Sequence, residues 1–108
     1  MSTMIEVNKE NYQQEVLQAD RPVVVDFWGP KCAPCLALMP EVEKLAQEYG
    51  DKIKFCKLNS AENRRLCIEV KVMALPTFLF YKGGAVVARL TGEEATVENI
   101  TAKLQALL

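Results

Sequence analysis

Two cysteines separated by two residues are the feature of this 108-residue sequence best suited to chemistry. Cys32 and Cys35 lie in the stretch "WGPKCAPC", which directly follows the apolar run "VVVDF". Cysteines at this spacing bind zinc, form a structural disulfide or exchange electrons as a dithiol. The chain has no histidine, and the spacing of Cys56 and Cys67 is not that of a second zinc-binding pair. A zinc site is therefore disfavoured, and the elements around the pair bear on the other two interpretations.

The segments on either side of the cysteines predict a strand and then a helix. Residues 22–28, "PVVVDFW", are almost all apolar and partly β-branched, which is typical of a central strand covered on both faces. Beyond the pair, apolar residues recur at helical spacing, Gly50 provides a stop, and a kink is expected at Pro40. The apolar residues of this helix are Leu38, Val42, Leu45 and Tyr49.

A position between a strand and a helix favours a reactive thiol at Cys32. The free amide groups and the positive end of the helix stabilise a thiolate there. Pro34 suits the first helical turn, because its missing N–H loses no hydrogen bond at that position. The spacing on one helical turn also brings the Cys35 sulfur close enough to form a disulfide. The pattern therefore favours electron exchange.

The segments outside this strand and helix continue the alternation. Residues 5–7 predict a short strand, followed by a helix that Asn8 caps. The apolar face of that helix consists of Tyr12, Val16 and Leu17. Residues 52–58 alternate as a strand does, and Ser60 is placed to cap a short helix running towards Val70.

The C-terminal third predicts a hairpin and a last helix. Residues 77–81 and 85–90 resemble strands that flank Lys82, Gly83 and Gly84. The last helix follows Thr96, and its apolar face consists of Val97, Ile100, Leu104 and either Leu107 or Leu108. The order β-α-β-α-β-α-β-β-α predicts an α/β fold with a central mixed sheet flanked by helices. At this length we expect a single domain over residues 1–108.

Charge and hydropathy argue against several classes of protein. The 13 basic and 14 acidic residues give a net charge of −1, without the basic excess of a nucleic-acid-binding protein. The first residues do not resemble a secretory signal, and no apolar stretch approaches the roughly 18 residues of a membrane span. We therefore expect a cytoplasmic location, where thiols are kept reduced and structural disulfides are rare.

Two charged residues fall within segments predicted to be strands. Asp26 interrupts the apolar central strand, where an isolated carboxylate is costly, unless it lies at the strand end and faces water. Lys57 has a similar position on the next strand. Burial would raise the pKa of Asp26, and a nearby Lys57 would oppose that rise. Such a carboxyl group beneath the cysteines could accept the proton of Cys35.

Several motifs in order resemble the thioredoxin family over essentially the whole chain. They are "VVVDFW", the CxxC, Pro40, "KLN" at 57–59, "LPTF" at 75–78, "YKGG" at 81–84 and Gly92. Spaced motifs in the correct order are far more specific than a CxxC alone. From the residues alone, Pro76 either begins a strand or forms a cis-proline turn. The resemblance implies the thioredoxin fold and a cis Pro76.

The resemblance also implies a role for each candidate site residue. Cys32 resembles the attacking thiolate and Cys35 the buried resolving thiol, with Asp26 and Lys57 as the proton acceptor and its neighbour. The backbone of Leu75 would bind a substrate strand. The implied substrate-binding residues are Trp28, Lys31, Ala33, Pro34, Leu75, Pro76 and Gly92.

The implied activity is the reduction of disulfide bonds in target proteins. The Cys32–Cys35 pair would be oxidised in the process and re-reduced by a flavin- and NADPH-dependent thioredoxin reductase. The chain itself would need no cofactor and no metal, and we expect a monomer. Two alternatives remain: a disulfide oxidase or isomerase, and an interaction module whose redox activity is incidental.

The active-site loop departs from the family's usual W-C-G-P-C. Lys31 replaces the aromatic residue, Ala33 replaces the glycine, and Pro30 stiffens the approach. The charge of Lys31 either favours the Cys32 thiolate and acidic partners or is merely solvated. Cys56 and Cys67 are outside the family's core chemistry, and we interpret them as buried, unreactive thiols, with a regulatory thiol or a second disulfide as the alternative.

Overall fold

The centre of the molecule is a five-stranded sheet in the computed structural model, which describes residues 3–108. In chain order the strands are β1 (Ile5–Glu6), β2 (Val23–Trp28), β3 (Lys54–Asn59), β4 (Thr77–Lys82) and β5 (Ala85–Thr91). Across the sheet their order is β1-β3-β2-β4-β5. The first three are parallel, whereas β4 is antiparallel to both of its neighbours. This arrangement confirms the predicted mixed sheet.

Helices connect and cover the strands. The α-helices are α1 (Ala33–Tyr49), α2 (Arg64–Glu69) and α3 (Val97–Ala106). A π-helical turn at Gln13–Leu17 joins β1 to β2, and short 3₁₀ turns lie at Ser60–Glu62 and Gly92–Glu94. In the described part of the chain, no helix combines the length and apolar character needed to cross a membrane.

Both faces of the sheet are buried, because successive side chains of a strand point to opposite sides. On one face Val24 and Phe80 pack with residues of α1 and α3, such as Val42 and Ile100. On the other face the sheet residues Val25, Phe27 and Leu79 are buried. They pack with residues of the π-helical segment and of α2, which include Tyr12, Val16 and Cys67. The apolar run of β2 thus forms a central strand, as predicted.

The first helix differs from its prediction. The carboxamide oxygen of Asn8 does accept the N–H groups of Glu10 and Asn11, at 2.9 and 3.1 Å. The chain then forms a π-helical turn rather than an α-helix, and its hydrogen bonds span five residues instead of four. Leu17, predicted to lie on the buried face, is 41 % exposed, because the face was assigned from the α-helical period.

The cap after β3 also differs. Asn59, not Ser60, caps the turn, since its carboxamide oxygen accepts the N–H of Ala61 at 3.0 Å. Ser60 is the first residue of the 3₁₀ turn, and α2 begins only at Arg64.

The prediction of the last helix agrees with the structure. The last helix follows Thr96 as predicted, and the hydroxyl of Thr96 caps α3 by accepting the N–H of Asn99 at 3.1 Å. Leu107 is buried and Leu108 is 60 % exposed, which decides between the two expected residues. Pro40 lies inside α1, and the kink expected there stays a prediction.

The hairpin between β4 and β5 depends on two glycines. Gly83 and Gly84 have φ values of 62° and 81°, as a two-residue type I′ turn requires. A Cβ on Gly84 would lie 2.8 Å from the carbonyl oxygen of Leu17, whereas a Cβ on Gly83 would meet nothing within 4 Å. A side chain would therefore strain the backbone at both positions, but only at Gly84 would it also clash with a neighbouring atom.

We expect Gly84→Ala to destabilise the protein more than Gly83→Ala. The left-handed backbone alone costs about 1–2 kcal/mol for an L-residue, and the clash with Leu17 adds to it only at Gly84. Urea denaturation of the two variants measures the difference in the free energy of unfolding. Equal losses would contradict the close approach of the hairpin to the Leu17 carbonyl.

Candidate active site

The loop between β2 and α1 places Cys32 at the N-cap of the helix. The N–H of Cys32 donates to the carbonyl of Gly29 at 3.1 Å, which closes the loop into a turn. The N–H of Cys35 donates to the Cys32 sulfur at 3.2 Å, and Pro34 lies in the first turn, as predicted. A negative charge on the Cys32 sulfur would therefore be stabilised by an amide and by the positive end of the helix.

The two cysteines form a disulfide, and the two residues differ in exposure. Cys32 and Cys35 are bonded, and their Cα atoms are 5.2 Å apart. Cys32 is half-buried, whereas Cys35 is only 1 % exposed. A partner molecule can therefore approach Cys32 but not Cys35.

Asp26 lies on the face of the sheet that α1 covers. Asp26 is directly paired with Phe78 of β4 and with Lys57 of β3. Directly paired residues project from the same face of a sheet, so all three side chains lie on this face. Phe78 belongs to the apolar core that contains residues of α1. The carboxyl group is thus buried on the same side as the helix whose first turn carries Cys35.

The surroundings of Asp26 change its ionisation. The residue is 2 % exposed, and one of its carboxyl oxygens has no hydrogen-bond partner among residues 3–108. Burial raises the pKa of Asp26 from 3.8 to about 7, while the positive charge of Lys57 opposes the rise. The expected burial of Asp26 is confirmed, and the alternative of a carboxylate facing water is wrong.

The loop before β4 approaches the cysteines from the neighbouring strand. The Leu75–Pro76 bond is cis, which decides between the two interpretations of Pro76. The side chain of Leu75 lies so close to Gly29 that a Cβ there would be 3.1 Å from the Leu75 Cδ1. The N–H of Gly92 donates to the carbonyl of Pro76 at 2.8 Å, so Gly92 is held against the same loop.

An open groove of about 500 Å³ borders the half-buried Cys32. Besides Gly29, its walls include Pro30, Lys31, Cys32, Ser60, Ala61 and Leu75. We call this the active-site groove.

The family follows from comparison with known proteins. The thioredoxin family model matches residues 3–106. The chain belongs to the thioredoxin family. It is 46 % identical over 101 residues to a thioredoxin of Peptoclostridium acidaminophilum, covering 94 % of this chain and 92 % of the relative. A thioredoxin of Acetoanaerobium sticklandii is 42 % identical over 102 residues, covering 94 % and 97 %, and thioredoxin 1 of a Nostoc species is 40 % identical over 92 residues, covering 85 % and 86 %.

Membership of the thioredoxin family, together with the Cys32–Cys35 disulfide, supports a thiol–disulfide oxidoreductase. The sheet order and the flanking helices are those of the thioredoxin fold, as the sequence resemblance implied.

The structure gathers some of the predicted substrate-binding residues and separates others. Lys31 and Leu75 line the active-site groove with Cys32. Ala33 and Pro34 are exposed in the first turn of α1 and do not line it. Trp28 is half-buried at the end of β2, and its indole N–H has no hydrogen-bond partner among the described residues.

Sequence reasoning missed four residues of the active-site groove. Gly29, Pro30, Ser60 and Ala61 line it but were not among the predicted site residues. A signal for the last two was present, because they follow β3 directly and β3 is parallel to β2. The carboxyl ends of parallel strands meet at one edge of the sheet, where binding sites form.

The remaining cysteines are free thiols outside the Cys32–Cys35 disulfide. Cys56 is fully buried in β3, and burial raises the pKa of its thiol to about 12. Cys67 is 6 % exposed in α2. Within residues 3–108, no cluster of three or more cysteine and carboxylate side chains could bind a metal ion.

Alkylation of the reduced native protein is expected to modify Cys32 alone within minutes. Cys56 and Cys67 are buried, and the high pKa of Cys56 leaves almost no thiolate at pH 8. Mass spectrometry after iodoacetamide treatment counts the modified residues. The urea-unfolded protein is the control, in which all four cysteines should be modified. Rapid native labelling of Cys67 would favour the regulatory-thiol alternative.

Proposed function

We propose that this protein reduces disulfide bonds in other proteins by reversible dithiol exchange at Cys32 and Cys35. The observation that carries the proposal is the unequal exposure of the two bonded cysteines at the start of α1. The half-buried Cys32 can meet a partner, whereas the buried Cys35 can react only within the protein.

The first step forms a mixed disulfide. The Cys32 thiolate attacks one sulfur of the target disulfide, and the other target sulfur leaves as a thiolate. The hydrogen bond from the Cys35 N–H supports this role, because it stabilises negative charge on the Cys32 sulfur.

The second step releases the target. Cys35 loses its proton and attacks the Cys32 sulfur, so the second target thiol leaves and the Cys32–Cys35 disulfide forms. The target gains two electrons, and the pair of cysteines loses them. We assign Asp26 as the acceptor of the Cys35 proton, since a pKa of about 7 suits a base at neutral pH. Lys57 keeps that value from rising further.

Substrate binding would use the cis-proline loop. The backbone N–H and C=O of Leu75 make no hydrogen bond within residues 3–108, so both are free to pair with an extended target segment. The hydrogen bond between Gly92 and Pro76 holds that loop. The other proposed binding residues are close to Cys32 in sequence, namely Trp28, Lys31, Ala33 and Pro34. This pairing would resemble the addition of a strand to a sheet edge.

Thioredoxin reductase, using NADPH and a flavin, would return two electrons to the Cys32–Cys35 disulfide. The cycle uses only the chain's own thiols, so the protein itself would act without a bound cofactor, as a monomeric single domain in the cytoplasm.

Insulin provides the test of the proposed function. The dithiothreitol-reduced protein should cleave insulin disulfides, which is measured as precipitation of the B chain. Equilibration with glutathione then determines the direction, because a reductant stays mostly oxidised in buffers that leave an oxidase mostly reduced. Failure to reduce insulin would overturn the proposal, and an oxidising equilibrium would favour the oxidase alternative.

A further inference from the structure

A second depression continues the active-site groove along α2. It has a volume of about 310 Å³, and its walls include Arg64, Ile68 and Met73. Ser60 and Leu75 line both depressions, so the two are contiguous. We call this second depression the far groove.

The far groove carries apolar side chains that the core does not need. Met73 is 79 % exposed and Ile68 is 62 % exposed, although large apolar side chains at such exposure gain nothing from the fold. An apolar side chain of a bound molecule would cover both residues. Contiguity with Cys32 indicates that this molecule is the one whose disulfide is attacked.

The charges around the two grooves have one sign. Lys31 borders Cys32 in the active-site groove, and Arg64 borders Ile68 in the far groove. Among the described residues that line either groove, none is acidic. Neither cation forms a salt bridge within 4 Å inside residues 3–108.

The acidic residues of α2 and the turn before it lie elsewhere. Glu62 and Glu69 line a separate depression that Arg64 also borders, together with Arg65. Arg65 lines that depression but not the far groove. The helix therefore presents two adjacent arginines, of which only Arg64 faces the proposed path of a target.

We propose that the active-site groove and the far groove together select disulfide targets with an acidic residue beside the attacked cysteine and an apolar residue flanked by a second acidic residue farther along. This inference rests on the proposed function. The acidic residues would face Lys31 and Arg64, and the apolar side chain would pack against Ile68 and Met73. Complementary charge of this kind changes the rate of association more than it changes the chemical step.

Two synthetic peptides test the inference. Each peptide has one disulfide loop, and a leucine follows the second cysteine of that loop. One residue on each side of the leucine is charged: both are glutamate in the acidic peptide and both are lysine in the basic peptide. The dithiothreitol-reduced protein should reduce the acidic peptide with a kcat/KM about tenfold higher at low salt, since two opposed charges change sign between the peptides. Salt near 1 M should shrink that ratio, because it screens exposed charges.

Matched charge reversals locate the effect. Arg64→Glu should lower the ratio between the peptides about fivefold or more, whereas Arg65→Glu, with the same change in net charge on the same helix, should leave it within about twofold. Met73→Ser should slow the leucine peptides but not a version with glycine in place of leucine. Thermal unfolding of each variant verifies that it is folded.

The outcomes separate this inference from the proposed function. Equal rates for the two peptides, or equal effects of the two arginine variants, would overturn the inference while the reduction of the peptides upheld the function. Absence of reduction of either peptide would overturn the proposed function, and the inference with it.

Discussion

Cys32→Ser is expected to abolish the reduction of insulin, lowering its rate by roughly 10³-fold or more. Attack on a disulfide requires a thiolate, and a serine hydroxyl does not ionise near neutral pH. Cys35 cannot take over the first step, because it is 1 % exposed and no target sulfur can reach it. The rate is measured with dithiothreitol as electron donor, so that the result does not depend on a reductase.

Cys35→Ser should fail in a different way. Its Cys32 thiolate still attacks the target, but without a resolving thiol the mixed disulfide persists. Mass spectrometry should detect one target chain bonded to each protein molecule, and added dithiothreitol should release it. Applied to a cell extract, the same variant should capture the physiological targets through Cys32.

Cys56→Ala provides the matched control, since it removes a thiol that is fully buried in β3. Its insulin activity should stay within about twofold of the wild type, because substitutions away from the site leave the chemistry intact. Activity in Cys32→Ser, or mixed disulfides formed through another cysteine, would refute the assignment of the attacking sulfur.

The local part of the site was predictable from the sequence, because short stretches encode it. The apolar run of β2, the spacing of Cys32 and Cys35, and Pro34 in the next turn each have a local physical cause. The Gly83–Gly84 turn was predictable for the same reason, since two adjacent glycines permit the positive φ angles of a tight hairpin.

Other parts of the site depend on contacts between distant segments. The face on which Asp26 lies follows from its register with Phe78, which is far away in the sequence. The walls formed by Ser60 and Ala61 depend on β3 ending beside β2, and sequence reasoning treated Ser60 only as a cap. Periodicity alone also failed at Leu17, because the backbone there forms a π-helical turn.

Asp26→Asn is expected to stabilise the oxidised protein at pH 8 and to change its stability little near pH 4. The ordinary pKa of an aspartate carboxyl, 3.8, applies to Asp26 in the unfolded chain, and burial raises it to about 7 in the folded protein. Between these values the folded carboxyl retains a proton that the unfolded one has lost, so the contribution of Asp26 to stability falls as the pH rises. Above about pH 7 the carboxylate of Asp26 lowers the free energy of unfolding by its full amount. That amount is on the order of 4 kcal/mol, because the pKa rises by about three between the unfolded and the folded protein.

Urea denaturation of the wild type and Asp26→Asn across this pH range measures the effect. Other carboxyl groups titrate in both proteins, so the difference between their free energies of unfolding isolates Asp26. Asp51→Asn is the matched control at an exposed carboxyl, and it should stay within about 0.5 kcal/mol of the wild type throughout. A difference between wild type and Asp26→Asn that is constant with pH would contradict the raised pKa of Asp26.

Lys57 determines where on the pH scale this difference develops. Its positive charge opposes the effect of burial, so Lys57→Met should raise the pKa of Asp26 above 7 and move the midpoint of the stability difference to higher pH. The comparison uses Lys57→Met with and without Asp26→Asn. An unchanged midpoint would mean that Lys57 does not act on the carboxyl. The buried carboxyl of Asp26 costs stability at neutral pH, and it lies on the face of the sheet that α1 covers. The proposed role as acceptor of the Cys35 proton would account for keeping it there. Asp26→Asn should therefore gain stability and resolve its mixed disulfides more slowly.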